Sequence, residues 1–210
     1  MKFSPTLTKV KEIAKTGKYD ILPVSCEILS DFITPIEAMR ILQNVSTHCY
    51  LLESAQANEA WGRYTFLGYD PKLEINCIDG HMKLGKLSVE TENPSEYIRQ
   101  ILSEYKSPKF DYLPSFTGGL VGYFSYDYLG YKEKSIRGKA RDTEDFKDVD
   151  LMLFDKVIAF DNLCQKIILI ANMSLDAPET GYNKAIVELK QLRELLMHGE
   201  KKQNMGGKLL

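Results

Sequence analysis

Glu53 and Ser54 place an acid and a hydroxyl at the end of an apolar run, HCYLLES at 48–54, where residue type and position first suggest chemistry. The chain then loops through AQANEAWGR before the next apolar run, YTFLGY at 64–69. A strand end with a hydroxyl, free backbone groups and a nearby carboxylate suits a small zwitterion. The ligand's ammonium needs acceptors and its carboxylate needs donors. A polar strand end ahead of a loop is also an ordinary surface connection. On residue types alone, that plainer reading weighs more.

No second constellation competes with it. His48 opens an apolar strand, His81 sits beside a turn and His198 lies at a helix C-terminus, where the dipole favours a cation. All three read as structural or exposed. There is no G-x-S-x-G, no Walker loop and no H-E-x-x-H, and the glycines of GGLVG are not followed by a helix carrying Lys-Ser/Thr. Cys26, Cys49, Cys77 and Cys164 form no C-x-x-C pair and stand beside no histidine at ligand spacing, so they read as buried thiols of a reducing compartment. The chain is therefore expected to hold no catalytic residue, no metal ligand and no cofactor.

Composition narrows the partners. With 27 Lys plus Arg against 29 Asp plus Glu, there is no positive field to gather a polyanion, so nucleic acid is not expected. The 44% hydrophobic content, with 9 Phe and 12 Tyr among 210 residues, is enough to fill a core. Lysines run through the first twenty residues, where a signal peptide would be apolar, and no stretch approaches the roughly 18 apolar residues of a membrane span. The expectation is a soluble, cytoplasmic protein.

Four helices and at least seven strands must position these residues. Leu7, Val10 and Ile13 predict a helix over 5–16 that stops at Gly17. Thr34, Pro35 and Glu37 spell a capping box ahead of a helix ending near Asn44, and Asn93, Pro94 and Glu96 repeat that grammar. Ala185, Leu189, Leu192 and Leu196 give the inner face of a helix over 179–197. Strands are expected at 48–54, 64–69 and 72–78. Asp79 and Gly80 then turn the chain into HMKL and KLSVE. A further strand is expected at 118–127. LMLFDKVIAFD and CQKIILIA, joined at Asp161 and Asn162, read as one buried hairpin over 151–171. The charged run 132–148 reads as a solvated loop. Without regular alternation of strand and helix, the fold class is α+β, with mixed, mainly antiparallel sheets and flanking helices.

Taken in order, LLES, GRYTFLGYDP (62–71), FTGGLVGYFSYD (116–127) and LMLFDKVIAFDN (151–162) resemble the N-terminal region of anthranilate synthase component I, a chorismate-utilising family. The GGLVGY-SYD block is shared with aminodeoxychorismate synthase component I, which stands as the alternative, as does a free-standing amino-acid-binding module without catalysis. The resemblance implies a tryptophan-sensing N-terminal regulatory domain over 1–198 and a linker over 199–210 leading to a C-terminal chorismate-binding half absent from this sequence. It implies L-tryptophan as feedback inhibitor, contacted by Ser54, with Glu53, Tyr64 and Thr65 beside it, Tyr64 through its backbone. The family pattern usually has serine where Thr65 stands. For the full-length enzyme it implies a glutamine amidotransferase partner and Mg2+, the chain by itself being inactive. A reading frame continuing beyond Leu210 into a chorismate-binding domain separates the enzyme reading from the module.

Overall fold

The structure, a computed structural model, describes residues 1–53, 62–133, 135 and 146–202. Ser54 and most of the charged run therefore lie outside the described residues. The chain divides into two compact units. The first comprises Met1–Asp70, Ser107–Thr117 and Asp155–Leu210, and the second Pro71–Lys106 and Gly118–Phe154.

The first unit is built on a six-stranded antiparallel sheet. Its strands are β1 (Phe3–Ser4), β2 (Ile21–Leu29), β3 (Cys49–Leu52), β4 (Tyr64–Tyr69), β10 (Lys156–Asp161) and β11 (Lys166–Ser174), in the order β1-β2-β11-β10-β4-β3. One face carries the helices α1 (Leu7–Ala14), α2 (Pro35–Val45) and α4 (Pro178–His198), closed over Leu22, Val24, Leu67, Ile158, Phe160 and Leu169. The opposite face buries Val157, Ala159, Ile168 and Ile170 under Leu113, Phe110 and Phe116 of the segment 107–117. Because both faces are covered, β10 and β11 read as unbroken apolar runs rather than alternating ones.

Local signals explain the helices. The Thr34 side chain accepts from the Glu37 amide while Glu37 reaches back to the Thr34 amide, so the expected capping box is present. Asn93 precedes the helix α3 (Pro94–Ser103) but makes no side-chain cap. Its Oδ1 accepts from Ser95 Oγ and its Nδ2 donates to Glu96, which replaces the expected bond to the backbone. Along α4, Leu189, Leu192 and Leu196 are buried as their spacing requires.

The second unit holds a five-stranded antiparallel sheet of β5 (Leu73–Ile78), β6 (His81–Leu84), β7 (Leu87–Glu90), β8 (Gly119–Phe124) and β9 (Val149–Phe154), ordered β7-β6-β5-β9-β8. Helix α3 and Tyr128 and Tyr131 pack on one face, over Ile75, Cys77, Val149 and Leu151. Asp79 and Gly80 form the expected two-residue turn, both with positive φ, and Ile78 pairs with His81.

Three expectations require correction. The run 151–161 is not one arm of a hairpin. It breaks at Asp155, so that β9 belongs to one sheet and β10, hairpinned with β11, to the other. The strand expected over 118–127 ends at Phe124, because the Ser125 hydroxyl accepts from the Tyr128 amide and starts a 3-10 helix, Tyr126–Tyr131. The thiols are not uniformly buried: Cys26 and Cys77 are, Cys49 is half-buried and Cys164 is exposed. No helix among the described residues is long and apolar enough to cross a membrane.

Candidate functional site

Of the expected ligand-binding residues, Glu53, Tyr64 and Thr65 lie where β3 ends and β4 begins. These strands pair from Cys49 with Tyr69 to Leu52 with Phe66, so Glu53 directly follows the last paired residue, exposed to solvent. Thr65 is the next residue along β4. Strand pleating then separates two of the expected contacts. Thr65 shares a face with Leu67 and is 1% exposed, paired across the sheet with Phe160 on the helix-covered side. Tyr64 points to the other face with Phe66, their rings 5.8 Å apart. The two side chains therefore face opposite sides of the sheet, Thr65 buried and Tyr64 partly exposed. Ser54 lies outside the described residues.

Arg63 and Asp161 complete this end of the sheet, and no sequence signal pointed to their pairing. Arg63 donates Nε to Oδ1 at 3.0 Å and Nη2 to Oδ2 at 2.7 Å, and the Cys164 amide adds a third bond to Oδ1 at 3.1 Å. The Asp161 side chain is fully buried. Burial pushes its carboxyl up, but the guanidinium and the Cys164 amide together pull it down to about 2. The same pairing holds the Arg63 guanidinium above its ordinary range. Arg63 also lies over the Tyr64 ring, 4.9 Å from its centroid, and its carbonyl accepts from the Asn162 amide at 2.9 Å. From that same turn, Asn162 Nδ2 donates to Thr65 Oγ1 at 3.4 Å. The turn between β10 and β11 is thus fastened to the first residues of β4. With three of about four acceptor positions filled, Asp161 is a structural anchor rather than a partner for a ligand ammonium.

An apolar wall stands on the other face. Tyr50 and Phe66 each meet Phe116 edge to face, at 6.4 and 5.6 Å. The Tyr50 ring lies across Gly68, its partner on β4, so closely that a Cβ there would fall 2.2 Å from a ring carbon. Only glycine leaves room for that ring. A cavity of about 470 Å³ lies at the opposite end of β3 from Glu53, lined by Gln43, Asn44, Val45, Ser46, Thr47 and Lys202. It takes in none of the expected ligand residues.

His81 pairs with Glu90 and His198 with Glu194, all four exposed. Among the described residues, no three His, Cys, Asp or Glu side chains come together to hold a metal ion.

Comparison with known proteins finds relatives that this chain matches over part of their length. The anthranilate synthase component 1 of Acetivibrio thermocellus is 34% identical over 200 residues, covering 92% of this chain and 40% of the relative. That of Pseudomonas aeruginosa is 36% identical over 186 residues, covering 85% of this chain and 37% of the relative. This chain is related to part of anthranilate synthase component 1. A crystal structure of anthranilate synthase component I from Streptococcus pneumoniae TIGR4 matches at a TM-score of 0.51 and 25% identity, over 79% of this chain and 36% of that one. The chain spans about two fifths of the length of the curated anthranilate synthase relatives. No protein-family model matches it.

Proposed function

We propose that this chain is the N-terminal, tryptophan-sensing part of an anthranilate synthase component 1 acting in cytoplasmic tryptophan biosynthesis. Similarity over nearly all of this chain and only about two fifths of the relative is the observation that carries this reading. In it, the rest of the polypeptide converts chorismate to anthranilate and pyruvate, using ammonia delivered by a glutamine amidotransferase partner. In this reading the rest of the polypeptide also binds Mg2+. Residues 1–198 are the regulatory domain, and 199–210 lead on to the catalytic half.

Ser54 is the central tryptophan contact, donating to the ligand's carboxylate or accepting from its ammonium. Glu53, exposed beside it, supplies charge for the ammonium. Thr65 sets the end of β4 from within the sheet, and Tyr64 offers backbone only. The test is Ser54→Ala in the full-length enzyme, with turnover followed as tryptophan rises. Losing one hydrogen bond to a charged group should weaken inhibition about ten- to a hundredfold and spare turnover without tryptophan. Unchanged inhibition removes Ser54 from the site. The 210-residue chain by itself, given chorismate, Mg2+ and ammonium, should show no turnover.

A further inference from the structure

Strand β8 is the outer strand of the five-stranded sheet, and no described strand pairs with its open side. Ser125 donates its amide to the Asp148 carbonyl, which places the bonds to β9 at alternate residues back along the ladder. The N–H and C=O groups of Leu120, Gly122 and Phe124 consequently face the open edge. Soluble proteins usually blunt such an edge with charges, proline or a bulge. GLVGYF carries no charge and no proline.

The surface beside this edge is apolar. Phe124 is 50% exposed, Tyr126 85%, Leu129 50% and Phe146 58%. Tyr123 packs on Phe146 at 5.4 Å and Phe124 on Tyr128 at 4.7 Å, and because successive strand residues alternate, the two pairs flank the edge on opposite faces of β8. Exposed Tyr and Phe side chains beside an unpaired strand edge are residue types enriched at interface centres. Gly122, with φ +152°, approaches β9 so closely that a Cβ would lie 1.9 Å from the Asp150 carbonyl oxygen. This holds the edge strand against its one partner without a protruding side chain.

We propose that the open edge of β8, with Phe124 and Tyr126 beside it, is the docking surface for a β-strand from the remaining length of the polypeptide. That strand would extend the sheet by main-chain hydrogen bonds, with apolar side chains packing beside the exposed rings on either face. The inference rests on the proposed function, in which this chain is part of a longer protein, and the relatives supply the length: this chain covers only 36–40% of those compared above.

Amide hydrogen exchange tests it, in the 210-residue chain alone and in the longer polypeptide. The Leu120, Gly122 and Phe124 amides should exchange about tenfold or more slowly in the longer protein, because only there do they gain acceptors. Equal exchange overturns the docking and leaves the proposed function standing, since that is read from tryptophan inhibition. A second copy of the chain could occupy the same edge. If sedimentation shows the chain alone to dimerise with these amides protected, the second copy is the occupant and the proposal fails. In the longer protein, Phe124→Asp with Tyr126→Asp should abolish the protection. In the chain alone, the far-ultraviolet circular dichroism should stay unchanged, because both side chains are exposed there. Protection that survives the double substitution overturns the proposal.

Discussion

Arg63 holds Asp161 through two parallel hydrogen bonds, 98 residues apart in sequence, with the carboxylate fully buried. The pair joins the start of β4 to the end of β10, next to Tyr64 and Thr65. Its stability contribution depends on pH, with a definite sign. The carboxyl titrates near 2 in the folded chain and near 4 once unfolded, so the unfolded chain takes up the proton first. The stabilisation, roughly 2 kcal/mol, is complete above about pH 4, fades as the pH falls toward 2 and is gone below.

Arg63→Gln should therefore destabilise by about 3 kcal/mol at neutral pH, because it leaves a buried carboxylate unpaired. The deficit against the unmodified chain should shrink as the pH falls and Asp161 protonates in both proteins. Urea unfolding at neutral pH and at a series of acidic values measures it. A deficit that stays constant down to pH 2 would mean that Arg63 acts by packing on Tyr64 rather than by charge.

Gly68→Ala should destabilise by about 1 to 3 kcal/mol, since the added methyl meets the Tyr50 ring in a close-packed face. The decisive comparison is with Tyr50→Ala. In that background the ring is gone and Gly68→Ala should be nearly neutral. If both backgrounds lose the same stability, the effect comes from the backbone of β4 and not from the ring.

Leu192 is 2% exposed in the helix-side core of the first unit, packed together with Leu189 and Leu196. Leu192→Ala should lower the unfolding free energy by about 2 to 5 kcal/mol in denaturant melts. A change under about 0.5 kcal/mol, typical of exposed positions, would assign the wrong face of α4 to the core.

What the sequence revealed of this fold follows from where its signals are local. The capping box at Thr34, the turn at Asp79 and Gly80, and the leucine spacing of α4 each lie within a few residues, and each is found where expected. Strand β2 escaped because ILPVSCEIL lacks alternation and contains Pro23, which argues against a strand flanked on both sides. The sheet tolerates this proline. The Leu175 amide bonds the Asp20 carbonyl, so alternate residues of β2 face β11, and the Pro23 nitrogen points the other way. On that side β1 reaches only Ser25 and Cys26. The break at Asp155 was hidden for a different reason: two buried strands in succession make one apolar run, and periodicity cannot show that it changes sheet. At the site, Glu53 was legible as a strand end, while Thr65 came only from the family resemblance. Arg63 and Asp161 were not legible as a pair, because only the completed ladder brings residues so distant in sequence together.

Thr65 separates a supporting role from a direct one. Its hydroxyl is buried on the helix-covered side of β4 and accepts from Asn162 Nδ2 at 3.4 Å, a long bond that ties it to the turn anchored by Asp161. If that bond is its function, Thr65→Val should cost about 0.5 to 1.5 kcal/mol of stability, Asn162→Ala a similar amount, and the double variant distinctly less than their sum. Thr65→Ser should retain the coupling, since the hydroxyl is kept. In the full-length enzyme, Thr65→Val should then weaken tryptophan inhibition far less than Ser54→Ala does, because its effect passes through the position of β4. The measurement is a double-mutant cycle by denaturant unfolding, paired with inhibition curves for both single variants. Additive stability losses together with inhibition as weak as in Ser54→Ala would place the Thr65 hydroxyl on the ligand itself, and β4 would then have to open toward its helix side to admit it.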